Sequence, residues 1–186
     1  MMLELEQDEI KRRAVGLHLL LFDVDGVMTD GGIILIEEKG EAKRFDVRDG
    51  MGVTLARTAG LKVGIITGRE SAAVYRRAEE LGIDEVCQGY FYKEDALNLL
   101  LEKHALDVSQ VAYVGDDVLD LPVMKRVGLP IAVHNASPEV KEHSIYVTQA
   151  PGGYGAVREV IDWLLELRGQ KEAVYGLFAS SKEKRS

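Results

Sequence analysis

The chain has 186 residues, 46% hydrophobic and 29% charged, enough for one domain with a substantial core, and its only cysteine, Cys87, excludes an intramolecular disulfide. Its 23 Lys and Arg against 31 Asp and Glu leave a net charge of −8, which argues against nucleic acid as a partner while permitting a local anion site. No apolar run approaches the roughly 20 residues of a membrane span, and MMLELEQDEIKRR lacks the apolar stretch of a signal peptide, so a cytoplasmic protein without a membrane partner is expected.

In chain order, residues 3–15 read as an amphipathic helix offering Leu3, Leu5, Ile10 and Ala14. The continuous apolar run 17–22 reads as a central strand covered on both faces. It runs straight into Asp23-Val24-Asp25-Gly26. Residues 33–36 and 42–47, joined by a turn over 37–41 in which Gly40 supplies the bend, predict a β-hairpin. From Gly50 onward the periods alternate. Helices are predicted over 51–59, 70–81 (closed by Gly82), 93–104, 119–127, 137–143 and 155–167, and strands over 62–66, 85–87, 110–114, 131–133 and 145–147. Gly152, Gly153 and Gly155 suggest a mobile loop, and 170–186 a flexible tail. Alternating strands and helices with short connections predict an α/β fold, a Rossmann-like parallel sheet with helices on both faces, in a single domain spanning 1–186.

Four polar elements fall at strand ends or helix starts, where an open parallel sheet binds ligands. Asp23 and Asp25 follow the first strand, Thr67-Gly68-Arg69 follows 62–66, Lys93 opens a helix, and Gly115-Asp116-Asp117 with Asp120 follows 110–114. Singly, each has an ordinary reading. Asp-Gly makes turns, Thr-Gly makes loops or N-caps, a lone lysine is solvated, and GDDxxD can cap a helix whose dipole favours acidic residues. Together and in this order they describe phosphoryl transfer. Several carboxylates on one edge repel, and Mg²⁺ resolves this by binding a few carboxylates with waters and phosphate oxygens. The Thr67 hydroxyl, the Gly68 N–H and the Lys93 ammonium suit phosphate oxygens. An aspartate beside a metal can attack phosphorus, and a second one two residues on can protonate the leaving alkoxide and then activate water.

These residues resemble the haloacid dehalogenase superfamily of phosphatases, whose four motifs they match in order. The resemblance implies Asp23 as nucleophile, Asp25 as general acid/base, Thr67 and Lys93 as phosphate ligands, and Mg²⁺ held by Asp23, the backbone carbonyl of Asp25 and Asp116, with Asp117 and Asp120 in support. DVDGVMTDGGI, FDVRDGMG, IITGR, YVGDDVLDLPVM and GGYGAVREVIDWLL are similar to the 3-deoxy-D-manno-octulosonate 8-phosphate phosphatase family over about 15–168. Members have only a β-hairpin as cap, here 33–47, and the resemblance implies a homotetramer whose hairpins help to close neighbouring active sites. An aspartyl-phosphate benefits from excluded water, and apolar 33–36 would be an adhesive edge if left unpaired; the alternative is a hairpin packed on its own domain. Substrate contacts map onto Asp46, Val47, Arg48, Asp49, Gly50, Gly68, Arg69 and Arg77, the arginines suiting the carboxylate of a sugar acid. Arg77 could instead be an ordinary exposed helix residue.

Three stretches depart from the family pattern. QGYFYK replaces a small or polar run before Lys93, so Tyr90, Phe91 and Tyr92 either line the sugar site or pack at a subunit contact. GGYG places Tyr154 where many relatives have arginine, and Asp46 stands where asparagine is frequent. The expected reaction is Mg²⁺-dependent hydrolysis of a phosphorylated eight-carbon keto sugar acid for lipopolysaccharide synthesis. The alternatives are a nine-carbon sialic-type acid 9-phosphate, a phosphomutase, or a non-catalytic oligomerisation module, the last of which predicts lost motif residues.

Overall fold

In the computed structural model, residues 6–37 and 40–179 are described. The chain opens with α1 (Gln7–Val15), and β1 (Leu19–Phe22) follows, every residue of it buried. Leu3 and Leu5, expected on the first helix, lie outside the described residues. The hairpin strands are β2 (Ile34–Ile36) and β3 (Gly40–Ala42). Then come α2 (Val47–Thr58), β4 (Lys62–Ile66), α3 (Ala72–Leu81), β5 (Glu85–Cys87), α4 (Lys93–His104), β6 (Val111–Gly115), α5 (Leu121–Met124), β7 (Leu129–Ala132), α6 (Pro138–Glu142), β8 (Tyr146–Val147), α7 (Ala156–Leu167) and α8 (Lys171–Ala179).

The main sheet runs β5-β4-β1-β6-β7-β8 with every pairing parallel. The chain steps outward from β1 through β4 to β5, then returns to the other side of β1 and steps outward again. Right-handed crossovers therefore put α2 and α3 on one face and α4, α5 and α6 on the other. The amphipathic α7 returns to the first face and packs along α2, with α1 against it, while α4 packs on α5. The order reverses between β1 and β6. That switch point is where such a sheet opens a crevice for ligands.

Several boundaries differ from the sequence reading. Gly40 pairs with Ile36 as the first residue of β3 rather than supplying the turn. The strand expected over 42–47 stops at Ala42 apart from a single bridge between Phe45 and Thr29, because Asp46 starts a helix: its side chain accepts the Arg48 N–H, and α2 begins at Val47 instead of residue 51. The tail expected to be flexible over 170–186 is helical through Ala179. Val174 is buried, and the Tyr175 hydroxyl, which donates to Asp162 and accepts from Arg158, ties α8 to α7. Nor is the glycine loop loose. A Cβ on Gly152 would fall 1.6 Å from the Gly26 carbonyl oxygen, so glycine is what lets this loop lie against the turn after β1.

Candidate active site

Beyond β1 the chain enters a tight turn, Val24–Met28, closed by a hydrogen bond from Thr29 N–H to the Val24 carbonyl. Gly26 takes φ 94° there, and a Cβ on it would lie 2.1 Å from Asp116 Oδ2, so glycine lets the second carboxylate approach the first. Asp23 hangs at the end of β1 and Asp116 at the end of β6, facing each other across the switch point. Asp23, Asp25, Thr67, Gly68, Arg69, Lys93, Asp116, Asp117, Leu119 and Asp120 line one cleft of ≈ 190 Å³. Every predicted member of the four motifs is therefore brought to one place.

Lys93, buried at the start of α4, donates to Asp23 Oδ1 at 2.9 Å and to Asp120 Oδ1 at 2.6 Å. Burial works against its charge, but the carboxylates of Asp23 and Asp120 outweigh it and the ammonium titrates above its ordinary range. Asp120 also accepts from the Tyr113 hydroxyl at 2.6 Å and from the backbone N–H groups of Asp116 and Asp117 at 2.9 and 3.2 Å. Tyr113 went unnoticed in the sequence; its signal is a phenol inside an apolar strand, which needs a buried partner. The Asp25 carboxylate pairs with Lys43, whose side chain is 1% exposed, and lies 3.9 Å from Arg69. Lys43 was missed as well. Its signal is the i, i+2 spacing that puts Glu41 and Lys43 on one side of the hairpin stem.

The donors fit a hard divalent cation. Carboxylate oxygens of Asp23, Asp116 and Asp120 lie within 4.8 Å of one another, and Asp116 Oδ1 is buried with no hydrogen-bond donor among the described residues. Burial, helped by the Asp23 and Asp120 charges, pushes Asp116 up to about 8. Burial likewise lifts Asp23 to about 6 against the pull of Lys93. Both oxygens of Asp120 are already engaged, which leaves Asp23 and Asp116 as the carboxylates open to a cation.

A haloacid dehalogenase-like hydrolase family profile matches residues 85–161. The chain is 45% identical over 168 residues to the 3-deoxy-D-manno-octulosonate 8-phosphate phosphatase of Escherichia coli K12, covering 90% of this chain and 89% of that protein. The chain belongs to the 3-deoxy-D-manno-octulosonate 8-phosphate phosphatase family. A crystal structure of the Moraxella catarrhalis phosphatase, in complex with magnesium ion, phosphate ion and KDO, is 40% identical and superposes with a TM-score of 0.89 over 93% of this chain and 99% of that one. A probable phosphatase from Pseudomonas syringae is 41% identical with a TM-score of 0.89, covering 94% of this chain and 99% of that one.

Against the family pattern, the remaining predicted substrate contacts separate. Arg69 lines the cleft, half exposed. Arg48 reaches Asp46 at 2.7 Å and the Tyr154 carbonyl at 2.7 Å, so the charge that Asp46 adds where relatives often have asparagine is met by a neighbouring guanidinium. Val47 is exposed. Asp49 is buried and accepts from Gly155 N–H and Arg158 N–H, which makes it the cap of α7. Gly50 packs against Arg77, and Arg77 lies under α2 with its guanidinium 5.9 Å from the Phe45 ring and 2.9 Å from Glu80. Arg77 is thus neither in the cleft nor an ordinary exposed residue. Phe91 and Tyr92 are exposed in an edge-to-face pair and do not line the cleft, while Tyr90 packs on the core. The Tyr154 ring lies under the Arg44 guanidinium at 4.2 Å.

Proposed function

We propose that this chain hydrolyses 3-deoxy-D-manno-octulosonate 8-phosphate to the free sugar acid and phosphate, with Mg²⁺, as a cytoplasmic step of lipopolysaccharide synthesis. The observation that carries this reading is Asp23, held by Lys93 and facing Asp116 across the β1/β6 switch point. Asp23 attacks phosphorus, so that a bond from its carboxylate forms as the bond to the sugar O8 breaks. Asp25 delivers its proton to the leaving alkoxide. Water then attacks the aspartyl-phosphate, Asp25 takes its proton, and the bond to Asp23 breaks to release phosphate. The Thr67 hydroxyl, the Gly68 N–H and Lys93 hold the phosphoryl oxygens. Arg69, at the open side of the cleft, suits the carboxylate of the sugar acid.

Mg²⁺, held by Asp23, the Asp25 carbonyl and Asp116, supplies positive charge that offsets the clustered carboxylates and the phosphoryl oxygens. Asp117 and Asp120 support this set, Asp120 by fixing Lys93 and the loop after β6. The six-stranded sheet and the helices on its two faces share one buried core, which supports a single phosphatase domain. No helix among them is long and apolar enough to cross a membrane. Ile33, Ile34, Leu35 and Ile36 are all more than half exposed, which supports a homotetramer built through the hairpins, each lending cover to a neighbour's cleft.

Phosphate release measured on the eight-carbon 8-phosphate and on a nine-carbon sialic-type 9-phosphate tests the reading. The higher kcat/KM is expected on the eight-carbon ester, lost in EDTA and restored by Mg²⁺. Faster release from the nine-carbon ester would overturn the substrate, and no release from either would overturn the reaction.

A further inference from the structure

The hairpin stem carries a group that the four motifs do not account for. Lys43 directly follows β3, yet its side chain is 1% exposed, and lysine is almost never buried so completely unless it is paired. Its ammonium contacts Asp25 Oδ1 and lies 3.5 Å from Glu41 Oε1. Glu41 Oε2 in turn accepts from Arg69 at 2.9 Å, and Arg69 Nε lies 3.9 Å from the other Asp25 oxygen. These four side chains close a ring that joins the turn after β1, the hairpin stem and the loop after β4.

Asp25 shares its cleft with Asp23, Asp116 and Asp117 and with a further cation, Lys93. Lys43 sets which way the Asp25 carboxylate turns. It draws Oδ1 to the hairpin side and leaves Oδ2 on the side of Arg69, which lines the cleft. Glu41 holds Lys43 from behind and is itself tied to Arg69, so the ring is fixed at both ends. Burying an ammonium costs free energy that good pairing only roughly offsets, so an apolar residue would serve the hairpin stem at least as well if packing were the only demand.

We propose that Lys43 is a positioning residue for Asp25, holding its carboxylate in the geometry for proton transfer to the leaving sugar oxygen. This rests on the reading of Asp25 as general acid/base. Proton transfer matters most when the leaving group is a poor one. An alkoxide such as the sugar O8 needs the proton, whereas 4-nitrophenolate leaves without it. Because kcat/KM covers only the steps through the first cleavage, comparing the two esters isolates that transfer.

The test measures kcat and KM for Lys43→Met on the eight-carbon sugar phosphate and on 4-nitrophenyl phosphate. Misplacing a general acid costs on the order of 30- to 100-fold, so a loss of about that size is expected on the sugar ester, carried by kcat with KM within about threefold. In kcat/KM the aryl ester should lose no more than about threefold, and it is in kcat/KM that the two esters are compared. Equal losses on both esters, or no loss on the sugar ester, would overturn the proposal. If removing the cation leaves Asp25 and Glu41 too repulsive for the variant to fold, Lys43→Met/Glu41→Gln removes that repulsion and the same comparison decides. Asp25→Asn separates the two levels. If it too fails to distinguish the esters, the reading of Asp25 is wrong; if it distinguishes them and Lys43→Met does not, only the Lys43 assignment falls.

Discussion

Asp116 carries the conflict of this site most directly. Its carboxylate shares a 4.8 Å cluster with Asp23 and Asp120, and its Oδ1 is buried without a donor. Asp120 has spent its own acceptors on Lys93, Tyr113 and two backbone N–H groups, and Asp23 is partly answered by Lys93. Asp116 Oδ1 has no such donor among the described residues. Asp116→Asn is therefore expected to raise the stability of the metal-free protein near pH 7 by about 1–2 kcal/mol, since it removes a carboxyl that the folded state buries only by taking up a proton, and to lower kcat by at least about 100-fold. Thermal melts with and without Mg²⁺ check it. The unaltered protein should melt higher as Mg²⁺ is added, by mass action on the folded state, and the variant should hardly respond. A variant that melts lower without metal would show that Asp116 has a partner the repulsion argument omits.

Among the elements, the junction of α2 and α7 shows what the sequence discloses and what it hides. The four motifs were legible because each sits within a residue or two of an apolar strand or at a helix start, so period and punctuation alone place them. Asp49 was legible as part of FDVRDG, but its work was not. It caps α7 from 106 to 109 residues away, and no local pattern records a carboxylate reaching another helix's N-terminus. The same holds for Lys43 and Asp25, 18 residues apart, and for Arg77, which the packing of α3 on α2 brings against Gly50. The α8 helix was hidden because Val174 is the one residue of Lys171–Ala179 that is buried, too little periodicity to read.

Asp49 also gives the α2/α7 junction a pH dependence. Burial raises it from 3.8 to about 6, against the pull of the Arg158 N–H. A folded state that holds this proton more tightly than the unfolded chain is favoured below about pH 4 and loses that advantage as pH rises through about 6. Relative to Asp49→Asn, which does not titrate, the unaltered protein should therefore lose about 1–3 kcal/mol between roughly pH 4 and pH 7. Urea unfolding of both proteins across that range measures the difference. A difference that moves the opposite way would mean that the α7 N-terminus favours the charged carboxylate by more than burial opposes it.

At the scale of the whole molecule, the hairpin is where the proposed assembly would meet the chemistry. Its β2 strand exposes three consecutive apolar residues, Ile34, Leu35 and Ile36, on both faces, with Leu35 79% exposed. A lone two-stranded ribbon is marginal in water, so a hairpin this apolar needs a surface to cover it. The facing strand of the same hairpin carries Glu41, opposite Leu35, and Lys43 follows it; these reach Arg69 and Asp25 in the cleft. Docking β2 on another copy would therefore steady the stem as well as shield the cleft. Ile34→Asp places a charge in that apolar stretch opposite Ala42, away from Glu41 and the cleft. Sedimentation should show it as a smaller species than the unaltered protein, with the sheet's thermal transition kept. Its kcat/KM on the sugar phosphate should fall at least about tenfold, because the stem is released and water enters. The loss should track the fraction dissociated, so that raising the protein concentration restores both together. A dissociated variant with full activity would mean that one protomer's cleft is complete by itself, and an undiminished assembly would move the interface away from the hairpin.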